Sequence, residues 1–173
     1  MTENLYKDYD SVITVKRIQA SENYHTGKRI FTYECEYPRF VHAELLTHKM
    51  LSRSSASSRA IPIDKVIEAV DKTPAHPIHW GANQSGMQAS KEVENINEAE
   101  VSWEDAKYLA IRSANILKEK GLHKQIVNRV LEPFQKIKVL ITATEWQNCF
   151  TLRYHPDAQP EICELFRLIK EDQ

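Results

Sequence analysis

The chain has 173 residues, 42% of them hydrophobic and 27% charged, with a formal net charge of −1. That length suits one domain with a real core, and the balance excludes a disordered tail and the basic surface of a general nucleic-acid coat. Its three cysteines, Cys35, Cys149 and Cys163, form no CxxC pair, which excludes a disulfide framework and points to reduced thiols in a cytoplasmic protein, and no run approaches a membrane span.

Ser11 to Gln19 alternates β-branched and polar residues, which predicts a strand. Asn23 to Lys28 carries Asn and Gly and predicts a turn. Ile30 to Glu36 alternates again and predicts a second strand ending before Pro38. Pro38 suits a first helical turn, where its missing N–H costs nothing, and Arg39 to Leu51 then predicts a helix with a broad apolar face. A short helix is predicted over Ile63 to Lys72, followed by an irregular stretch from Thr73 to Asn97 with Pro74, Pro77, Gly81 and Gly86.

Ser102-Trp103-Glu104-Asp105 has the form of a capping box and predicts the start of a long helix that Gly121 ends. Its apolar stripe includes Ala106, Leu109, Ala110, Ile116 and Leu117, for a core or a subunit interface. Its charges Lys107, Arg112, Lys118 and Glu119 predict a solvated face. His123 to Leu131 predicts another helix, Lys136 to Thr144 a strand, and Glu145 to Tyr154 and Ala158 to Lys170 two more helices. The class is α+β, a small antiparallel or mixed sheet packed with several helices in a single domain over residues 1–173. The helical pattern still runs at Gln173 without a stop signal, so a C-terminus shorter than that of relatives is expected.

The segment Thr47 to Arg59 (THKMLSRSSASSR) concentrates basic, imidazole and hydroxyl groups with no acid. Few of these can be buried without partners, whereas charged donors and hydroxyls together suit phosphate oxygens. Anion binding is the reading. The segment resembles the signature of flavin-dependent thymidylate synthases, R-H-R-x-x-S-x-N-x-x-S-x-R: His48, Ser52, Ser57 and Arg59 match, and Lys49 keeps the charge of an arginine. Two later blocks follow in the family's order. Arg129 in HKQIVNRVLEP stands where an arginine precedes a Val-Leu-Pro-like turn. Asn148-Cys149-Phe150-Thr151-Leu152-Arg153 is similar to Asn-Phe-Leu-x-Leu-Arg, and Ala158 to Ile162 to Ala-Gln-x-Glu-Ile. Gln84, Gln88 and the stretch around them are similar to a divergent, phage-type branch.

The resemblance implies an enzyme that converts dUMP to dTMP, with methylenetetrahydrofolate as carbon donor, FAD as cofactor and NADPH as co-substrate. It implies a homotetramer, with flavin between subunits. It assigns Glu44, Ser55, Ser57, Arg59 and Arg129 to the nucleotide, His48, Lys49 and Asn148 to the flavin, and Arg153 to the pyrimidine, where it stabilises charge as the catalytic residue. No enzyme nucleophile is needed, and Cys149 beside Phe150 reads as packing. Departures stand at Thr47 and Ser54 in the signature, and at Thr142 and Thr144, where the family often carries Asn and a second arginine.

His79 and Trp80 lie in His76-Pro77-Ile78-His79-Trp80-Gly81. They either substitute by contacting a flavin or folate ring, or sit in a surface loop with Trp80 tucked onto the core. His155 either shapes a turn before Pro156 or touches ligand beside Arg153. His42-Ala43-Glu44 has the H-x-E spacing of zinc deaminases, but Pro160-Glu161-Ile162-Cys163 offers no second cysteine, so no metal is expected. Three alternatives stay open: methylation or hydroxymethylation of another pyrimidine nucleotide such as dCMP, a nonenzymatic nucleotide- or nucleic-acid-binding module, and a truncated or inactive relative of the family. Membrane and nucleic-acid partners are not expected.

Overall fold

A computed structural model describes residues 12–173. Its order is β1 (Thr14–Glu22), β2 (Arg29–Pro38), a 3₁₀ turn (Arg39–Val41), α1 (His42–Leu46), β3 (Ser52–Ser55), α2 (Ile63–Lys72), α3 (Ile96–Glu119), α4 (Lys124–Val130), a second 3₁₀ turn (Glu132–Phe134), β4 (Lys136–Ala143), α5 (Gln147–Arg153) and α6 (Pro160–Asp172). The class is α+β, as the pattern predicts. The chain forms two compact units: one takes residues up to Tyr37, Val41–Ser55 and Ile137–Gln173, the other Pro38–Phe40 and Ala56–Lys136.

The first unit is a four-stranded sheet in the order β1-β2-β4-β3, with β1 antiparallel to β2 and β3 antiparallel to β4. Alternation sets its core. Phe31, Tyr33, Cys35 and Tyr37 of β2 and Ile137, Val139, Ile141 and Ala143 of β4 are buried every second residue, the period a half-buried strand requires. Ile162, Leu165, Phe166 and Ile169 bury one stripe of α6, and Trp146, Cys149 and Phe150 bury the adjoining part of α5. At the β1–β2 turn, the Asn23 side chain accepts from the amides of His25 and Thr26. Ser11, where the sequence starts the first strand, lies outside the described residues, and β1 begins at Thr14.

The second unit packs α2, α3 and α4 around Val66, Val70, Ala114, Val127, Leu131 and Phe134. Gly121 sits at φ +77° just past α3, the left-handed geometry of a helix C-terminus. Gly81 is needed for a close approach: a Cβ there would meet that of Ala89 at 2.3 Å.

Three sequence readings are corrected. The helix predicted over Arg39–Leu51 is only five α-helical residues after a 3₁₀ turn, and Ser52–Ser55 is a strand. Arg53 explains the early stop: its Nη1 donates to the carbonyls of Leu45 (2.8 Å) and His48 (3.1 Å), satisfying the helix end with a side chain. Residues 52–55 then pair with Thr142, Ile141, Leu140 and Val139, a tertiary ladder that overrides the weak strand preference of Ser-Arg-Ser-Ser.

The second correction moves the start of α3 from Ser102 to Ile96. Asn95 is the cap, its side chain accepting from the Glu98 amide (3.2 Å) while its Nδ2 donates to the Glu98 carboxylate (3.1 Å). The third concerns the face of α3. Ala110 and Leu117 pack against the core with Trp103 and Ile111, while Ala106, Leu109 and Ile116 are exposed, so the stripe read as core or subunit interface is core only in part. Lys107, expected on the solvated face, is largely covered and paired with Glu104.

Candidate active site

The first unit gathers Glu44, Thr47, His48 and Arg153. Residues 44, 47 and 48 are spaced i, i+3, i+4, so α1 and the turn after it present them on one face. Arg153, at the last position of α5, gives each guanidinium nitrogen to one of them. Nε donates to His48 Nε2 (2.9 Å), Nη1 to Glu44 Oε2 (2.8 Å) and Nη2 to Thr47 Oγ1 (3.1 Å). The arginine keeps about a fifth of its side-chain surface in solvent, enough to meet a ligand while its orientation is fixed.

His48 is 6% exposed and stacks obliquely against Phe166 of α6. Burial, then the charges of Arg153 and Arg53, push its pKa below the ordinary imidazole value. The neutral ring with its proton on Nδ1 is the form that accepts from Arg153. Tyr37 and His42 meet through the hydroxyl and Nδ1 at 2.8 Å, beside α1.

All three thiols are pushed up by burial, Cys35 to about 12. For Cys149 the neighbouring Arg153 and Arg53 only partly offset that burial. None carries the depressed pKa of an activated nucleophile. Among the described residues, no three His, Cys, Asp or Glu side chains gather for a metal, and no helix is long and apolar enough to cross a membrane.

The other residues expected to bind the flavin or the nucleotide fall into three places. Lys49 is exposed, its Nζ 3.2 Å from the Leu46 carbonyl, and Asn148 is exposed on α5. Ser55 ends β3 opposite Val139, exposed like Ser52 and Ser54. Thr142, a departure from the family pattern, joins its hydroxyl to that of Thr32 at 2.9 Å between β4 and β2.

In the second unit, Ser57 and Arg59 lie in a turn where Ser57 Oγ accepts from the Arg59 amide (3.3 Å) and the Ala60 amide donates to the Ser57 carbonyl (2.9 Å). This turn is fastened to α4. Asn128, buried on α4, donates to the carbonyls of Ser58 (2.7 Å) and Ile61 (3.1 Å), and Lys124 donates to that of Ala60 (3.2 Å). Arg129 follows Asn128 on the same helix. Its Nη1 donates to Glu132 (2.9 Å), which also receives Arg39 (3.2 Å) and the Ser58 hydroxyl (3.4 Å). Two guanidinium groups thus share one carboxylate, leaving positive charge, and Arg129 keeps more than half of its side chain exposed.

His79 and Trp80 belong to the same unit. His79 Nε2 lies 2.8 Å from the Ala89 carbonyl, and Nδ1 lies 3.5 Å from Glu92, which also accepts from the Trp80 amide. The Trp80 ring meets Trp103 edge-on at 6.1 Å.

Sequence reasoning missed three participants. In the sequence Thr47 reads only as a departure from arginine, and Asn128 and Glu132 stand out in no motif. The signals were present in the i, i+3, i+4 set Glu44-Thr47-His48 and the i, i+3 pair Arg129-Glu132.

The family model of thymidylate synthase complementing protein matches residues 28–172. Among solved structures, the chain resembles a UMP/dUMP methylase, PolB, from Streptomyces cacaoi bound with 5-Br UMP. Identity is 13% and the TM-score 0.71 over 94% of this chain and 88% of that one. The same methylase bound with 5-Br dUMP gives 12% and 0.68, over 94% and 90%. At such identities the likeness is one of fold. No curated protein sequence matches.

Proposed function

Because the chain belongs to the thymidylate synthase complementing protein family, we propose that it is a pyrimidine-nucleotide methyltransferase that converts dUMP to dTMP with reduced FAD and methylenetetrahydrofolate. The observation that carries this reading is the clamped guanidinium of Arg153. Three acceptors hold it, and both terminal nitrogens retain a second N–H. Those donors suit the carbonyl edge of a uracil, where negative charge grows as C5 is activated toward the incoming carbon. A preorganised, partly desolvated guanidinium stabilises that charge without reorganising during the reaction.

The Ser57–Arg59 turn and Arg129 suit the nucleotide phosphate. The surplus positive charge of Arg39 and Arg129 around Glu132 is what an anion neutralises. Glu44 acts in this reading by orienting Arg153, and Ser55 offers a hydroxyl on β3.

For the flavin, the donor set fits. Lys49 supplies an exposed ammonium, Asn148 an exposed amide, and Ser52, Ser54 and Ser55 exposed hydroxyls, the groups that hold a diphosphate and a polyol chain. When bound, FAD supplies the hydride that completes the methyl group. His79 and Trp80 are the candidates for a ring contact, and NADPH for the reductant. Self-association into a homotetramer is part of the proposal. Val101, Tyr108, Leu109 and Ile116 leave apolar surface on α3 that another copy would cover.

A second reading, methylation of UMP, is favoured by the fold shared with a UMP/dUMP methylase. One assay separates them. The purified protein is given FAD, NADPH and methylenetetrahydrofolate with dUMP, UMP or dCMP, and products are resolved by chromatography while the visible flavin band is followed. Conversion of dUMP alone, in a yellow protein, supports thymidylate synthesis. A colourless protein that leaves all three nucleotides unchanged rejects the enzyme.

A further inference from the structure

Thr47 stands where the signature carries an arginine, and at first sight it is a loss. The geometry gives it a task. Its Oγ1 donates its only hydrogen to the Glu44 carbonyl at 2.7 Å, so the oxygen faces Arg153 as an acceptor, 3.1 Å from Nη2. Thr47 follows α1 in α-helical geometry (φ −70°, ψ −25°), which keeps it in step with Glu44 and His48. With all three acceptors in place, every nitrogen of the guanidinium is held from one short turn. With Thr47 removed, the Nη2 side has no acceptor among these residues. An arginine at 47 would instead set a second cation against the first.

We propose that Thr47 is a positioning residue for Arg153: its hydroxyl fixes the guanidinium in the orientation that meets the nucleotide base, so this chain requires a short hydroxyl side chain where the signature has arginine. The inference rests on the nucleotide reading only in naming the base as the target of Arg153. The clamp itself is a property of the fold.

The groups facing His48 make the clamp observable. They are Arg153 of α5, Arg53 of β3 and the Phe166 ring of α6. A guanidinium that swings away from Nε2 leaves a ring with a mixed tautomer and a higher pKa. The test compares wild type, Thr47→Val, Thr47→Ser and Thr47→Arg by ¹⁵N–¹H spectra of the His48 ring across a pH titration, and by dUMP affinity from calorimetry.

Wild type is expected to show one Nδ1-protonated tautomer. Thr47→Val shifts the titration upward and weakens dUMP about tenfold, the scale of one lost hydrogen bond to a charged group. Thr47→Ser restores both readouts, and Thr47→Arg weakens dUMP at least as much as Thr47→Val. His48 spectra and dUMP affinity unchanged in Thr47→Val overturn the inference, as does tighter dUMP binding by Thr47→Arg. If no form binds dUMP while His48 still responds to Thr47→Val and recovers in Thr47→Ser, the positioning role stands and the nucleotide reading falls.

Discussion

Two arginines of this chain meet carboxylates in opposite ways. Arg153 meets one carboxylate, one imidazole and one hydroxyl, all within five residues, and is three-quarters covered. Arg129 shares Glu132 with Arg39 and leaves most of its side chain in solvent. The first arrangement fixes direction and roughly balances charge. The second leaves an excess of positive charge with freedom to move. A base edge needs fixed direction, because hydrogen bonds to a planar ring tolerate little rotation. A phosphate tolerates many approach angles and responds mainly to charge. Each unit therefore carries its own physics, fixed orientation at Arg153 in the first and anion affinity at Arg129 in the second.

The largest effect that would break this contrast comes from Arg153. Arg153→Gln keeps hydrogen-bonding capacity but loses the charge and the planar fork. It is expected to lower kcat for dUMP about 10²–10³-fold with a smaller change in KM, the scale of one lost charge-stabilising donor. Equal losses in kcat and affinity for Arg153 and Arg129 variants would dissolve the distinction.

Arg129 and Glu132 sharpen it from the other side. Arg129→Ala should weaken dUMP roughly 10–100-fold and leave deoxyuridine, which has no phosphate, unaffected. Glu132→Gln should act oppositely. Freed of their shared carboxylate, Arg39 and Arg129 bind dUMP more tightly, and the gain fades as salt rises. Calorimetry with both ligands at two salt concentrations reads both outcomes.

The pH dependence separates the units as well. His48 in the first unit and His76 in the second both have pKa values pushed down, chiefly by burial. An unfolded histidine takes its proton near pH ~6.5, and these folded ones only at lower pH. Between those limits the unfolded chain binds more protons, so stability is full above pH ~6.5 and declines on acidification toward the folded pKa values. Both histidines contribute to that decline, but only His48 loses an acceptor for Arg153 when protonated. His48→Asn is expected to flatten the acid limb of kcat against pH. His76→Asn should relieve part of the acid destabilisation seen in denaturant titrations and leave the shape of the activity profile unchanged.

Much of this was legible in the sequence. Alternation in β2 and the strand character of Lys136–Thr144 predict two strands of the sheet, because burial imposes a period that side chains record. The three motif blocks carry the family resemblance, and that resemblance points to Arg153, Glu44 and His48. What stayed hidden depended on long-range partners. Ser52–Ser55 has no strand signature of its own; β4 makes it a strand. Thr47 carried no signal as an acceptor because its partner lies 106 positions away. Glu132 resembled an ordinary surface acid until two arginines converged on it.

The start of α3 is the smallest of these misreadings and the most easily tested, since two capping boxes seven residues apart competed for one helix. Ser102-x-x-Asp105 has the better cap residue type for a box, but Asn95-x-x-Glu98 has the geometry: the Asn95 side chain accepts from the Glu98 amide, and its Nδ2 donates to the Glu98 carboxylate. The choice follows from where the chain must turn: Val93 donates to the Trp80 carbonyl and Gly81 bridges Glu92, so the loop closes just before Asn95 and the helix can begin at once. Ser102 then lies inside the helix, where its hydroxyl caps nothing. Asn95→Ala should therefore cost about 1 kcal/mol in denaturant unfolding. Ser102→Ala should be neutral or slightly stabilising, because alanine is the better residue in a helix interior. A loss in Ser102→Ala equal to that in Asn95→Ala would return the helix start to the position the sequence first suggested.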